Sequence, residues 1–182
     1  GKRRRVLVEK VLQMSMYERK KAVLKKRNID INEMVESIGN SFTLRVEHTG
    51  GKVYTEIEAL DSRIYVDEMH FQNVVFNLLD NAVKYRKPDQ PLNVYIKTWN
   101  EGKKVCLSIK DNGVGIKKDN LKKVFDKFFR VHTGNVHDVK GFGLGLAYVK
   151  KMIDLFEGEI HVDSELGEGT VFTIKLPFMD KN

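Results

Sequence analysis

The sequence predicts an α+β fold, a two-layer α/β sandwich in which helices cover one face of a mixed sheet, with an N-terminal helical extension. Helix and strand patterns follow one another in an order that is mostly not βαβ, which argues against a doubly wound parallel sheet. The strand patterns alternate between apolar and polar residues, as expected for a sheet with one covered face. With 182 residues, of which 41% are hydrophobic, the chain suits one domain plus a short appendage.

The first part of the chain reads as two helices. Residues 6–26 contain no Gly or Pro and place apolar residues at three-to-four spacing, which predicts a helix whose narrow apolar stripe needs a partner helix. Asn32 is the predicted N-cap of a second helix, Glu33 to Val46, and Gly50-Gly51 ends that region.

Two short strands and a third helix follow. Val53–Ile57 and Ile64–Val66 alternate as strands. Asp67 is the predicted cap of a helix that runs to Arg86, where Pro88 disfavours helical backbone in the residue before it.

The C-terminal part is predicted to hold four strands and one helix. Its elements, in chain order, are strands at Leu92–Trp99 and Val105–Lys110 joined by a hairpin turn, an irregular stretch at 111–142, a helix at Leu144–Phe156, and strands at Ile160–Val162 and Val171–Leu176.

Composition excludes several classes of protein. Cys106 is the single cysteine, so no disulfide framework is possible and a reducing cytoplasmic setting fits best. No apolar run approaches the length of a membrane span, so we expect this piece to be soluble.

The positive charge is concentrated at the start of the chain. Residues 1–27 hold 11 Lys and Arg against two Asp and Glu, while the remainder holds 21 Lys and Arg against 23 Asp and Glu. Because no basic patch with interleaved aromatic residues accompanies this charge, we expect no nucleic-acid partner.

The helix that starts after Asp67 carries an unusual polar sector. At 100° per residue, five side chains share one side of it: His70, Asn73, Asn77, Asn81 and Lys84. An ordinary solvated face is the alternative, but such a face prefers better helix formers than Asn. Amide oxygens one turn apart can bind a hard cation, and a lysine one turn further can meet phosphate.

A second signal lies at the end of a predicted strand, in the run Asp111 to Gly115, DNGVG. A plain turn is the alternative, and an EF-hand loop is excluded because Gly113 and Gly115 stand where oxygen ligands are needed. Glycine permits a flat ring to lie against the backbone, and the Asp111 carboxylate can accept a hydrogen bond from an amino group.

Two further segments follow it. Phe125 to Arg130, FDKFFR, would by default be a core patch. The run 141–146, GFGLGL, stands at a helix start, where free N–H groups and the helix dipole favour an anion. A Rossmann fingerprint is not supported, because Leu146 occupies the place of its third Gly and a loop precedes the run.

Taken in order, these segments resemble the N, G1, F and G2 boxes of the ATP-binding catalytic domain of bacterial sensor histidine kinases. That domain belongs to the gyrase, chaperone, histidine kinase and mismatch-repair ATPase superfamily, whose sandwich is called the Bergerat fold. The matching segments are His70–Tyr85, Asp111–Gly115, Phe125–Arg130, Gly141–Leu146 and, as a late strand-turn feature, Gly167–Thr170. The likeness covers about residues 30–178.

The resemblance implies ATP and Mg²⁺ as ligands and assigns roles around the phosphates. Asn81 would ligate the Mg²⁺, with Asn77 beside it. Lys84 and Tyr85 would contact phosphate and ribose, and Arg130 would reach the terminal phosphates. The catalytic roles would thus fall to Asn77, Lys84 and Arg130.

The same resemblance implies an adenine site. Asp111 would accept from the adenine amino group, with Gly113 and Thr170 helping through water. The remaining nucleotide contacts, made in large part by the glycine-rich segments, would come from Gly115, Phe128, Lys140, Gly141, Gly143, Leu144, Gly145 and Leu146.

Asn77 points to phosphoryl transfer rather than rapid hydrolysis. Gyrase-like and chaperone ATPases have a Glu general base four residues before the metal-binding Asn, and a neutral amide cannot deprotonate water. In the resembled family the acceptor is a histidine on a dimeric two-helix domain upstream. None of the five histidines here lies in such a context, so we expect the phosphoacceptor to be missing and no autophosphorylation by this chain alone.

These expectations define the organisation and the partners. Residues 1–27 would be the end of the dimerisation and phosphoacceptor helix plus linker, and residues 28–182 the catalytic domain. The partners would be its own dimerisation domain and a response regulator receiver domain, in a homodimeric, membrane-anchored parent with this part in the cytoplasm. Three alternatives stay open: a pseudokinase or phosphatase-supporting module, a slow gyrase-type ATPase, and a nucleic-acid binder.

Overall fold

The computed structural model describes residues 23–126 and 145–178. Its elements, in chain order, are β1 (Lys26–Asp30), α1 (Ile31–Glu47), β2 (Val53–Ile57), β3 (Arg63–Asp67), α2 (Glu68–Lys84), β4 (Val94–Glu101), β5 (Lys104–Asp111), a 3-10 turn (Lys118–Asn120), α3 (Gly145–Leu155), β6 (Glu159–Glu165) and β7 (Gly169–Pro177). Within those ranges no helix combines the length and apolar character needed to cross a membrane.

A mixed five-stranded sheet organises the domain, with strand order β2-β4-β5-β7-β6. The β2–β4 pair is parallel and the other three pairs are antiparallel. A separate two-stranded antiparallel sheet joins β1 to β3. The predicted α+β class with a mixed sheet is therefore confirmed, and the small sheet is an addition that the sequence patterns did not indicate.

Helices cover one face of the five-stranded sheet. Leu107, Ile109 and Asp111 alternate along β5 toward that face, and all three are buried. On the opposite face Tyr54 and Tyr95 stack with ring centroids 4.9 Å apart, and both remain more than 40% exposed. The core therefore lies between the helices and the face of the sheet that they cover. Asp111 is an ionisable residue at the edge of this core.

Helix α1 begins earlier than predicted. Its N-cap is Asp30, whose Oδ1 accepts from the backbone N–H of Asn32 at 2.9 Å. Asn32 itself bonds to the Ala59 carbonyl at 2.8 Å and accepts from the Thr98 hydroxyl at 2.7 Å. The prediction of Asn32 as the cap was wrong, because Ile31 is fully buried as the first helical residue and the Asn32 side chain makes tertiary bonds instead.

The predicted first helix falls almost entirely outside the described residues. Within them, Lys26 begins a strand, so the helix does not extend to that residue. Strand β1 spans the expected boundary between residues 27 and 28 and pairs with β3. The assignment of residues 1–27 to a neighbouring domain stays a prediction.

Two buried glycines should respond to alanine in opposite ways. A Cβ on Gly39, inside α1, would lie 3.6 Å from both Ile96 and Thr55, which is ordinary contact. Gly39→Ala should therefore raise the free energy of unfolding by about 0.5–1 kcal/mol, since alanine loses less backbone entropy in a helix. A Cβ on Gly51 would lie 1.6 Å from the Leu92 carbonyl oxygen, so Gly51→Ala should destabilise the fold.

Urea unfolding of both variants beside the unsubstituted chain provides the measurement. If Gly39→Ala lowered stability, the packing of α1 on the sheet described above would be wrong.

Candidate functional site

Helix α2 presents its asparagines to the start of α3. Asn77 is 9% exposed, and its Nδ2 donates to the backbone oxygen of Asn73 at 2.7 Å. Its Oδ1 faces Gly145, where an added Cβ would come within 3.0 Å of that oxygen. Asn81, one turn further along α2, is half-buried. The Asn77 amide oxygen therefore meets the N-terminal end of α3, where backbone N–H groups lack partners within the helix.

The end of β5 buries a carboxylic acid. Asp111 is the last residue of that strand and is 8% exposed. Its Oδ1 accepts from the backbone N–H of Gly113 at 2.8 Å, which closes a tight turn. Its cross-strand neighbours are Val94 on β4 and Thr170 on β7. The backbone N–H of Thr170 also bonds to this carboxylate. Because a carboxylate can accept about four hydrogen bonds, capacity remains for a donor from a ligand.

This burial changes the acidity of Asp111. Loss of hydration raises the pKa of its carboxyl from 3.8 to about 6, although the N–H groups of Gly113 and Thr170 oppose the rise. A carboxyl held this far above its usual pKa is typical of a functional site, because burial without function costs stability. At neutral pH the group is ionised and is a strong acceptor for an N–H donor.

Glycines allow the loop after Asp111 to pack against two other segments. A Cβ on Gly113 would lie 2.5 Å from the Tyr85 carbonyl oxygen, at the end of α2. Gly115 has φ +77, and a Cβ there would lie 2.2 Å from the Glu165 carbonyl oxygen. The backbone N–H of Val114 also donates to Tyr85 at 2.9 Å. These contacts join the DNGVG loop to both α2 and the β6–β7 turn.

A hydroxyl network lies behind the Asp111 end of the sheet. Ser164 Oγ accepts from the Ile116 N–H at 2.8 Å, bonds to the Gly169 carbonyl at 2.7 Å and contacts Thr170 Oγ1 at 2.8 Å. The sequence analysis did not single out Ser164. One feature of the sequence could have indicated Ser164. It is a polar residue at a position of β6 that faces the core, where the alternation of a strand favours an apolar residue.

A polar cluster fixes the first turn of α3 to α2. The Tyr148 hydroxyl lies 2.5 Å from His70 Nδ1 and also bonds to the Asn73 side chain. Burial raises the pKa of Tyr148 to about 12, so the hydroxyl keeps its proton. Sequence reasoning placed His70 and Asn73 in the polar sector but missed Tyr148, their partner on α3. The cluster holds the start of α3 beside Asn77.

The structure places ten of the predicted site residues on segments that these contacts join at one end of the sheet: Asn77, Asn81, Lys84, Tyr85, Asp111, Gly113, Gly115, Gly145, Leu146 and Thr170. The other predicted site residues lie outside the described residues: Phe128, Arg130, Lys140, Gly141, Gly143 and Leu144. Across the described ranges no group of three or more His, Cys, Asp or Glu side chains could hold a metal ion. A cation here would depend on amide oxygens and on its ligand's own phosphates.

Comparison with known proteins gives one family. Residues 66–180 match the model of the histidine kinase-, DNA gyrase B- and HSP90-like ATPases. The sensor protein RprX of Bacteroides fragilis is 58% identical over 98% of this chain, and the sensor histidine kinase WalK of Bacillus subtilis is 30% identical over 96%. The chain spans 34% and 28% of the lengths of these two relatives.

Solved structures share the fold. Full-length ShkA in complex with AMPPNP superposes with a TM-score of 0.80 at 26% identity, covering 95% of this chain and 35% of that one. Histidine kinase ThkA in complex with response regulator protein TrrA gives a TM-score of 0.76 at 22% identity, covering 98% and 48%. The identity to ThkA is low enough that this likeness concerns the fold alone.

The raised pKa of Asp111 should make the stability of the chain fall as pH rises. From pH 3.8 to about 6 the native state binds the proton more tightly than the unfolded chain, so ionisation lowers the free energy of unfolding over that window. Asp111→Asn removes this penalty and should be more stable at pH 7.5 by up to about 3 kcal/mol, at about 1.4 kcal/mol per pKa unit.

Denaturant unfolding between pH 5 and 7.5, without nucleotide, measures the difference between the two proteins. Asp163→Asn, on an exposed part of β6, is the matched control and should follow the unsubstituted chain. A stability difference that does not grow with pH would contradict the effect of burial on the Asp111 carboxyl.

Proposed function

We propose that this chain, which belongs to the family of histidine kinase-, DNA gyrase B- and HSP90-like ATPases, is the ATP-binding catalytic domain of a two-component sensor histidine kinase. It would donate the γ-phosphoryl group of ATP to a histidine on its parent's dimerisation domain, for relay to a response regulator. The observation that carries this proposal is the buried Asp111 acceptor, joined through the DNGVG loop to the asparagine sector of α2.

The adenine site would be built around Asp111. Its ionised carboxylate accepts from the exocyclic amino group of the base, which a buried acceptor does more strongly than an exposed one. Gly113 has no side chain, so the turn after Asp111 packs directly against the Tyr85 carbonyl and keeps the carboxylate at the end of the sheet. Thr170, the cross-strand neighbour of Asp111, offers its hydroxyl beside the same edge of the base.

The phosphate site would lie along α2. Mg²⁺, when bound, neutralises the phosphate oxygens and supports departure of the γ-phosphoryl group. The residues fit such an ion, because the Asn77 amide is held with its oxygen toward the start of α3, where Gly145 leaves room. We assign the metal contact to Asn81 with Asn77 beside it, and phosphate contacts to Lys84 and Arg130.

Asn77 favours transfer over hydrolysis. Its amide nitrogen donates to the backbone of α2, and an amide has no basic site that could take a proton from water. The chain would therefore position ATP and stabilise charge, while the nucleophile comes from another domain.

Because the nucleophile would come from another domain, the proposed function requires partners. We propose the parent's own dimerisation domain as phosphoacceptor and a receiver domain as the next acceptor, in a homodimeric sensor with this part in the cytoplasm. WalK is named a sensor histidine kinase, which supports transfer to a histidine. ThkA, which shares the fold, was solved in complex with a response regulator protein.

Asp111→Asn should weaken ATP binding by about 1–3 kcal/mol, because the base loses a charge-assisted hydrogen bond. ATP affinity of the unsubstituted chain should also fall as pH drops through about 6, where Asp111 takes up a proton, and Asp111→Asn should lack this dependence. Calorimetric titration at pH 5.5 and 7.5 measures both effects. Inorganic triphosphate is the control ligand, and an equal loss of affinity for it would remove Asp111 from the adenine site.

Phosphotransfer provides the direct test of the proposed activity. Incubation of this chain with Mg·ATP labelled at the γ-phosphate and with the parent's separately expressed dimerisation domain should yield an acid-labile phosphohistidine on that domain. Asn81→Ala should abolish the Mg²⁺-dependent part of nucleotide binding and the label with it. Steady ATP hydrolysis by the chain alone, lost in Asn77→Ala, would instead support a gyrase-type ATPase, and ATP binding without transfer would support a pseudokinase.

A further inference from the structure

We propose that His70 and Tyr148 are positioning residues for the phosphates of the nucleotide. The hydrogen bond between them fixes the start of α3 against α2, which strengthens phosphate binding and leaves binding of the base unaffected. The inference rests on the proposed ATP site and adds Tyr148 to it, a residue outside every motif quoted from the sequence. Each of the two residues acts through the helix that carries it.

The pair joins the first turns of the two helices. His70 lies in the first turn of α2, and Tyr148 lies in the first turn of α3. The Tyr148 hydroxyl is 2.5 Å from His70 Nδ1. The two rings are tilted by 43° with centroids 5.9 Å apart, so they meet through these polar atoms rather than by stacking. Tyr148 is only 5% exposed, so water competes little for its hydroxyl.

The helix faces that carry the pair also carry the phosphate side of the site. Gly145 precedes Tyr148 by three residues and Asn77 follows His70 by seven, so within each helix the two positions share one side. His70 and Asn77 are about 10 Å apart along α2, at 1.5 Å per residue. Since Asn77 Oδ1 closely approaches Gly145, a shift of the first turn of α3 would also change the phosphate side of this interface.

Helix α2 is the fixed element of the two. Its N-cap, Asp67, accepts from the His70 N–H at 3.2 Å and from the Lys25 N–H at 2.9 Å, one on each carboxylate oxygen. The core-facing residues of α3 include Val149 and Ile153, which are fully buried, but apolar packing is not directional. The directional bond to His70 therefore determines where the first turn of α3 lies.

The base would be held by other elements. Asp111 ends β5, and strand register with β7 positions it. Breaking the bond between His70 and Tyr148 should therefore weaken the contacts to the phosphates and preserve those to the base. A purely structural role would instead lower stability and leave the balance between the two halves of the nucleotide unchanged.

Three substitutions separate the hydrogen bond from the packing around it. Tyr148→Phe keeps the ring and removes only the hydroxyl. His70→Leu removes the partner nitrogen. His70→Asn restores polar atoms on Cγ, where Nδ1 is attached in histidine, and its amide can accept or donate there. We expect the first two variants to behave alike and His70→Asn to resemble the unsubstituted chain.

The measurement compares affinities for ATP and AMP, which share the base and ribose and differ in the length of the phosphate chain. Competition against a fluorescent ATP analogue in the presence of Mg²⁺ gives both affinities. Tyr148→Phe and His70→Leu should each lower the ATP:AMP affinity ratio about 3- to 10-fold, the range of one net hydrogen bond, with AMP affinity unchanged. The double variant should lower the ratio no further, because both substitutions remove the same bond.

Thr98→Val is the matched control for stability. It also removes a buried hydroxyl, which donates to Asn32 at 2.7 Å and so bonds β4 to α1. This variant should lower the melting temperature and leave the ATP:AMP ratio unchanged. Thermal unfolding also confirms that each variant folds. If Tyr148→Phe does not fold, the comparison of His70→Leu with His70→Asn carries the test.

The outcomes separate this inference from the proposed function. An unchanged ratio in folded Tyr148→Phe, an equal loss of ATP and AMP affinity, or a His70→Asn variant that behaves like His70→Leu would overturn the positioning role. In each of these cases ATP binding by the unsubstituted chain still stands. Failure of the unsubstituted chain to bind ATP would overturn the proposed function and this inference together.

Discussion

Burial of one carboxylic acid at the end of β5 is the constraint around which this end of the fold is organised. Asp111 loses most of its hydration, and only backbone N–H groups partly compensate, so its pKa rises to about 6. The antiparallel register of β5 and β7 brings Thr170 beside it, and Gly113 lets the following turn approach α2. A ligand that donates a hydrogen bond to the acid would recover part of the stability lost by burying it.

The two halves of the site are held by different kinds of contact. Strand register and backbone hydrogen bonds through Val114 hold the half around Asp111. The half along α2 depends on side chains that pack one helix on another, with Tyr148 of α3 bonded to His70 and Asn73. A base would therefore meet a stiff sheet end, while phosphates would meet an interface whose geometry changes with the position of α3.

The distribution of hydrogen-bond donors and acceptors in the two halves of the site relates the structure to the proposed reaction. At the end of β5 the Asp111 carboxylate can accept a hydrogen bond from a base. Along α2 the Asn77 side-chain nitrogen donates to the helix backbone, so its oxygen can bind a cation. Asn77 has no basic group that could deprotonate a water molecule. This distribution of donors and acceptors supports the proposed binding of ATP with a metal ion and the proposed transfer to an external acceptor.

The sequence by itself determined the features that depend on near neighbours. Helix α2 and its asparagine sector, the turn at Asp111 to Gly113 and the mixed order of elements all follow from periodicity and turn chemistry. The cap of α1 was predicted wrongly, because distant Ala59 and Thr98 engage Asn32 and leave Asp30 to cap the helix. Only the tertiary structure decided the acidity of Asp111 and the hydrogen-bond partners of Ser164. Desolvation and cross-strand hydrogen bonds arise from residues far apart in the chain, and no local pattern encodes which strands will pair.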